Sequence, residues 1–310
     1  MSASKLPPFE YYEPATVAEA TALLATYGDQ ARVLAGGVDL LPRLRTGTVK
    51  AGYLINIQRV AGLEYLRRTA TGGIDFGAMA SLHSLERWSE LAIGYPALYD
   101  AIHQITSVQT KYMGTAVGNL CVATPASDAA PAFAAHDAEL LISGPGGERR
   151  LATADFYPAY GRTALGPGEF VTGVEVPAAP AGHGAAFLNL VRTHADIAKV
   201  TVTVAVVLEA GVCKQARIAL GSVAPTMFRA REAEALLEGS GVTDELISKA
   251  AAVAAAEAKP IDDLRSTAEY RRAAAEVLVV RALQKAFDRA RASTEGPGAD
   301  RCSSGGGVTR

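Results

Sequence analysis

A Pro/Ala/Gly stretch, Pro177-Ala178-Ala179-Pro180-Ala181-Gly182, divides the 310-residue chain, and the sequence differs in kind on its two sides. After it come three β-rich stretches, Ala185 to Arg192, Val200 to Glu209 and Ala216 to Leu220, and then helices rather than strands and helices in alternation. One helix is expected over Arg229 to Glu238, stopped by Gly239. The last is the most strongly marked: Ser266 and Glu269 have capping-box spacing, and Tyr270, Ala273, Val277, Val280, Leu283 and Phe287 keep helical spacing. The residues after Ala292 are Gly, Ser, Thr and Pro with few apolar ones, so 292–310 are expected to form a disordered tail.

Before the divide the pattern is mixed. Thr16 and Glu19 have capping-box spacing ahead of the apolar stripe Val17, Ala20, Leu23, Leu24 and Tyr27, and Gly28 is the expected C-cap. Arg32 to Ala35 reads as a short strand broken by Gly36-Gly37, Asp39-Leu40-Leu41 begins another element, and Tyr53 to Ile57 reads as a second strand. Further on, Ile74 to Gly77 reads as a strand, and Ser81 to Glu90 and Pro96 to Ile105 read as helices. Ala138 to Ser143 and Arg149 to Ala152 read as a hairpin closed by Gly144-Pro145-Gly146-Gly147. Between them, Ser107 to Asp128 is polar and small-residue-rich without periodicity, and loops of that length inside a compact domain are usually functional.

Composition narrows the function. Lys plus Arg number 30 against 32 Asp plus Glu, a near balance that gives no sign of a nucleic-acid or membrane-surface partner. At 49% apolar and 20% charged residues the chain has ample material for a packed core. No apolar run reaches the roughly 18 residues of a spanning helix, and the N-terminus lacks the apolar region of a signal peptide, so a cytoplasmic location is expected. Cys121, Cys213 and Cys302 are too few and too scattered for a disulfide framework, a zinc site or the usual four-thiolate iron–sulfur shell, so no metal is expected on this chain. His83, His103, His136, His183 and His194 share no spacing, and no catalytic residue is assigned.

Two loops carry the chemistry. In Leu34-Ala35-Gly36-Gly37-Val38-Asp39-Leu40 a strand, a glycine pair and a helix start converge. They form either a simple tight turn or an anion site, in which glycine lets a diphosphate approach the backbone amides. On the second reading the glycines serve the ligand alone, so Gly37→Val should weaken binding and leave the ligand-free protein unchanged. The dinucleotide fingerprint G-x-G-x-x-G and the P-loop are both absent, so a dinucleotide would be held another way. In the second loop, Gly114-Thr115-Ala116-Val117-Gly118-Asn119-Leu120-Cys121 continuing to Thr124-Pro125-Ala126-Ser127-Asp128, short hydroxyls and one amide crowd together as if to wrap a polar ligand. Asp128 suits either a ribose hydroxyl or the N-cap of the Pro131 helix.

Together these loops resemble the FAD-binding medium subunit of molybdenum hydroxylases, the group of carbon monoxide dehydrogenase and xanthine dehydrogenase flavoprotein subunits. The resemblance runs from about Phe9 to Phe287 and rests on Ala35 to Leu41, Gly114 to Leu120, Pro125 to Asp128, Ile218 to Thr226 and Ile261 to Arg271. It implies an α+β chain: a two-lobed FAD-binding domain of PCMH type over 1–177, with lobes of about 1–58 and 59–177, then a C-terminal domain over 183–290 made of a three-stranded antiparallel sheet with a helical bundle. It implies FAD on this chain, contacted by Leu34, Ala35, Gly36, Gly37, Val38, Asp39, Leu40, Thr115, Gly118, Asn119, Ser127 and Asp128, with Ile197 and Lys199 beside the isoalloxazine ring. It also implies partners: a small [2Fe-2S] subunit and a large molybdopterin subunit, in a dimer of heterotrimers.

The implied reaction is electron transfer from the partner's clusters through FAD to NAD⁺, a quinone, O₂ or another acceptor. A stand-alone flavoprotein oxidase and a non-enzymatic nucleotide-binding or assembly module are the alternatives. Two features depart from the family: Val117 replaces the first glycine of its usual Gly-Gly-Asn, and Lys111-Tyr112 replaces its usual Arg-Asn. A β-branched residue does not easily take positive φ, so Val117 either has ordinary dihedrals or redirects the loop.

Overall fold

The computed structural model describes residues 5–105, 107–194 and 196–295. Its first unit contains β1 (Glu10–Tyr12), α1 (Val17–Tyr27), β2 (Ala31–Leu34), α2 (Leu40–Arg45) and β3 (Tyr53–Asn56). The expected cap at α1 forms: Thr16 Oγ1 accepts from the Glu19 amide at 3.1 Å, and the Glu19 carboxylate accepts from the Ala15 amide at 2.8 Å. β1 and β2 both pair in parallel with the central β3, an arrangement that needs the helical crossovers found between them. Leu34, Leu44 and Leu54 form a small core of their own beneath α2.

The second unit contains β4 (Leu66–Arg68), β5 (Ile74–Gly77), α3 (Leu82–Glu86), α4 (Ser89–Gly94), α5 (Pro96–Gln104), α6 (Val108–Met113), α7 (Ala116–Cys121), α8 (Ala129–Ala135), β6 (Glu139–Gly144), β7 (Gly147–Ala152) and β8 (Phe170–Val176). Its strands form an antiparallel sheet in the order β4-β5-β8-β6-β7. Two expectations need correction here. The single helix over Ser81 to Glu90 is two, interrupted at Arg87–Trp88, where Trp88 takes an extended backbone. The unstructured stretch from Ser107 to Asp128 contains α6 and α7, six residues each, too short to show a 3.6-residue period.

The third unit contains β9 (His183–Leu190), β10 (Val200–Glu209), β11 (Val212–Gly221), β12 (Phe228–Arg229), α9 (Arg231–Leu237), α10 (Asp244–Glu257) and α11 (Ala268–Glu295). The three long strands pair antiparallel as expected, and the two-residue β12 adds a fourth at the edge. The cap of α11 is Thr267 rather than Ser266: its Oγ1 accepts from the Tyr270 amide at 3.2 Å. α11 continues to Glu295, so 292–295 are helical and the expected tail does not begin there; its remainder, 296–310, lies outside the described residues. α10 escapes sequence reading because Ala250, Ala251, Ala254 and Ala255 give little contrast between its buried and open faces.

The units meet on the β9–β11 sheet, which is covered on both sides. Val200, Val202, Val204 and Val206 share a core with Val279, Leu283 and Phe287 of α11. The alternate residues Ala185, Phe187, Ala205 and Ala219 belong instead to the core of the second unit, with Phe133 and its neighbours. The period-two alternation thus feeds two different cores. α8 is the wedge between them: Ala129-Ala130-Pro131-Ala132-Phe133-Ala134-Ala135 is buried throughout, as a helix apolar on all sides must be. Asp137, just past α8, accepts from Arg217 at 2.9 Å and from Arg229 at 2.8 Å and ties the seam at its edge.

Candidate functional site

The two glycine-containing loops come together. β2 ends at Leu34, and Gly36 then packs so tightly on α6 that a Cβ there would stand 1.7 Å from the Met113 carbonyl oxygen. Gly37 has φ +70°, and a Cβ there would meet the side chains of Leu41 and Leu34 at 3.0 and 3.2 Å. A Cβ on Gly114 would stand 2.9 Å from the Thr110 carbonyl and 3.7 Å from Val38 Cγ2. These backbone approaches, which only glycine allows, set one loop against the other.

The junction opens into a cleft of about 300 Å³ lined by Gly36, Gly37, Val38, Leu41, Pro42, Arg45 and Met113. Among the described residues the amides of Gly36, Gly37, Val38 and Asp39 make no backbone hydrogen bond, while the Gly37 and Asp39 carbonyls are taken by Leu41 and Arg43. A row of free N–H groups, one of them on a residue in the left-handed region, is an anion-receiving surface. The donor set therefore fits a diphosphate, and the apolar wall of Val38, Leu41, Pro42 and Met113 fits a flat organic group beside it. Leu40 packs into the small core under α2, and the cleft is lined by Leu41 instead. Leu41, Arg45 and Met113 are missing from the set expected from sequence. Leu41 and Arg45 share an i, i+4 face of α2, a spacing visible in the sequence once the helix start at Leu40 is fixed.

The second loop is built on a cap. Thr115, buried, accepts from the Gly118 amide through Oγ1 at 2.9 Å, and its backbone bridges to Ser81. Val117 lies inside α7 with ordinary helical dihedrals and is buried. This resolves its departure from the family pattern without a change of loop path. Asn119 Oδ1 accepts from Ser127 Oγ at 2.6 Å, and Ser127 Oγ in turn accepts from the Ala130 amide at 3.0 Å. Among the described residues no hydrogen bond leaves Asn119 Nδ2.

Asp128 occupies the N-cap position of α8, but its side chain makes no cap bond; Ser127 supplies it. The Asp128 carboxylate turns to the third unit, where Thr201 Oγ1 donates to it at 3.3 Å and Asn189 also bonds to it. Burial pushes its pKa up to about 6 against the pull of these two hydrogen bonds. Next to it, the Ser222 amide donates to the Pro125 carbonyl at 2.7 Å, and a Cβ on Gly221 would stand 3.0 Å from Pro131. The second loop is therefore docked directly on β10 and β11.

Ile197 and Lys199 lie in the turn before β10. Ile197 is 48% exposed, and Lys199 Nζ stands 5.6 Å from the centre of the Tyr270 ring. The Lys199 carbonyl accepts from the buried Arg271 guanidinium at 2.9 Å. Among the described residues no hydrogen bond joins this turn to Gly36–Asp39; its connection to the site runs through β10 and Asp128. Among the described residues no group of His, Cys, Asp or Glu is placed to hold a metal ion, and no helix is long and apolar enough to cross a membrane. Cys302 lies outside the described residues.

Comparison with known proteins agrees with this architecture on both sides of the divide. Residues 7–179 match the family described as the FAD binding domain in molybdopterin dehydrogenase, and residues 185–286 match the CO dehydrogenase flavoprotein C-terminal domain. The carbon monoxide dehydrogenase medium chain of Afipia carboxidovorans is 34% identical over 283 residues, 91% of this chain and 98% of that one. The structure of carbon monoxide dehydrogenase from Hydrogenophaga pseudoflava superposes with a TM-score of 0.89 at 34% identity, covering 92% of this chain and 99% of that one. Quinoline 2-oxidoreductase from Pseudomonas putida 86 superposes with a TM-score of 0.84 at 27% identity, covering 94% of this chain and 99% of that one. The matched domains and the near full-length likeness show that the chain belongs to the molybdopterin dehydrogenase FAD-binding family, the medium-subunit flavoproteins of the carbon monoxide dehydrogenase type.

Proposed function

We propose that this chain is the FAD-carrying electron-transfer subunit of a molybdenum hydroxylase complex, passing electrons from the [2Fe-2S] clusters of a small partner subunit to an external acceptor. The large partner would carry the molybdopterin cofactor, where substrate is oxidised. The observation that carries the reading is the meeting of the two loops: Gly36, Gly37 and Val38, whose amides make no backbone hydrogen bond among the described residues, line a cleft together with Met113 of the other loop. The amides would take the diphosphate, and Asn119 Nδ2 would donate to an oxygen of the same ligand. Thr115, Gly118 and Ser127 hold Asn119 in position, and Asp128 offers a carboxylate to a sugar hydroxyl while it docks the loop on β10. Ile197 and Lys199 supply the face contributed by the third unit.

Bound there, FAD supplies redox chemistry that no side chain of this protein has. The chain contributes position, exclusion of water by its apolar wall, and the local field. The division into a flavin-binding part, 1–177, and a C-terminal part, 183–290, belongs to this proposal, as does a cytoplasmic location. Purification of the tagged chain from its native host tests it. The expected result is co-purification of a small Cys-rich chain and a large chain, with FAD, iron and molybdenum in the complex. A chain that purifies alone and oxidises a substrate by itself would contradict it.

A further inference from the structure

Two residues before Met113, a buried lysine anchors a charge cluster that reaches the surface at His103 and does not line the cleft. Lys111, on the last turn of α6, is only 7% exposed. Its ammonium donates to Glu86 Oε1 of α3 at 2.6 Å and to the His103 carbonyl at the end of α5 at 2.9 Å. The same Glu86 oxygen accepts from His103 Nδ1 at 2.7 Å. Partial burial works against ionisation of Glu86, but the hydrogen bonds from Lys111 and His103 outweigh it and hold the carboxyl below its usual range. A buried ammonium needs a partner that compensates its lost hydration, and here a carboxylate and a carbonyl do so from two different helices.

α6 is too short to hold its own position. It has six residues and three exposed apolar side chains, Val108, Tyr112 and Met113. Yet its C-terminal end must present the Met113 carbonyl to Gly36 and the Gly114 carbonyl to the Leu82 amide at 2.9 Å. We propose that Lys111 is a positioning residue for the flavin, an ionic clamp that fixes α6 to α3 and α5 and so sets the wall on which the first loop and its amides rest. This rests on the proposed FAD site and adds a residue to it that never touches the ligand.

The surroundings leave Lys111 no substitute for Glu86. Of the other groups on α3, α5 and α6, the His83 ring stacks on Tyr112 at 3.9 Å and Tyr99 stacks on His103 at 5.7 Å. Asp100 faces Lys285 and Arg289 of α11, at 4.0 and 3.7 Å. Arg87 is exposed, and Glu90 on α4 is bonded to Ser89. Glu86→Gln would therefore leave a buried ammonium without a counter-charge, and the link between α6 and α3 would lose its ionic partner.

The test is FAD affinity by flavin fluorescence, with melting of the FAD-free proteins alongside. Lys111→Met should bind about tenfold more weakly, and Lys111→Arg, which keeps a cation at that place on α6, should restore most of that loss. Glu86→Gln, which keeps the shape but removes the counter-charge, should weaken binding as Lys111→Met does. If Lys111→Met does not fold, Glu86→Gln and Lys111→Arg decide. Wild-type affinity in Lys111→Met or in Glu86→Gln, or Lys111→Arg binding no better than Lys111→Met, overturns the clamp. Asn119→Ala is the control for the site itself: undiminished affinity there overturns the site assignment, and the clamp with it, whereas weakened binding there with normal Lys111→Met binding overturns the clamp alone.

Discussion

Gly36 lies against the carbonyl of Met113, 77 positions further along the chain by their numbering, with no room for a side chain between them. The glycine pair therefore has a structural duty as well as a ligand-facing one. This changes the expectation drawn from sequence, in which the pair served the ligand alone. Gly36→Ala must push the two loops apart, and Gly37→Val puts a β-branched residue at φ +70°. Each should destabilise the FAD-free protein on the order of 2–4 kcal/mol. Differential scanning fluorimetry of the stripped proteins checks this; melting unchanged from wild type would contradict the close approach of Gly36 to Met113.

Asn119→Ala acts differently. It removes the acceptor of Ser127 Oγ but leaves Ser127 its bond from the Ala130 amide. The FAD-free protein should lose only about 0.5–1.5 kcal/mol, while FAD affinity falls roughly tenfold. Urea unfolding of the stripped variant and a flavin titration separate the two effects. A large loss of stability with normal affinity would make Asn119 purely structural.

Asp128 makes the stability of the fold depend on pH. Its folded pKa, raised to about 6, lies above the unfolded value near 3.9, so the native state holds the proton more tightly. Its contribution favours the fold below about pH 4 and is lost as the pH rises through 6, by roughly 2–3 kcal/mol. Asp128→Asn removes that penalty, so the variant should gain stability relative to wild type as the pH rises from 4 to 7. Unfolding free energies at several pH values give the difference; a difference that does not change with pH would sink this reading.

His183 works in the opposite sense. It faces His136 across the seam with ring centres 5.7 Å apart, and burial, aided by His136, lowers its pKa to about 4. Its stabilising contribution is complete above about pH 6.5 and is lost as the pH falls towards 4, by up to about 3 kcal/mol. His136, also lowered by burial, adds to the same trend. His183→Gln should flatten the acid limb of the stability profile without abolishing it. An unchanged acid limb would show that the seam does not respond to this histidine.

The legible parts of this fold were those with strong local signals: the Thr16 cap, the glycine pair after a short strand, and the long strands β10 and β11. What sequence reading missed shares one cause, weak local contrast. α6 and α7 are shorter than two turns, and α10 is alanine on nearly every side. At the site, the loop residues were visible because glycine, hydroxyl and amide side chains mark special backbone. Leu41 and Met113 were not, since an apolar wall looks like core until the chain is folded, and Arg45 shows only as the i+4 neighbour of Leu41 once the start of α2 is fixed. The turning of Asp128 towards Thr201 is a contact between distant segments that no local pattern encodes.

The most direct measurement of the central claim is the flavin content of the purified chain or its complex, compared between wild type and Asn119→Ala at equal, limiting FAD. The account predicts about one FAD per wild-type chain, released into the supernatant by acid precipitation, and substantially less on the variant. A colourless wild-type protein that takes up no FAD, flavin that stays with the acid pellet, or equal occupancy of the two proteins would contradict a non-covalent site formed where the two loops meet.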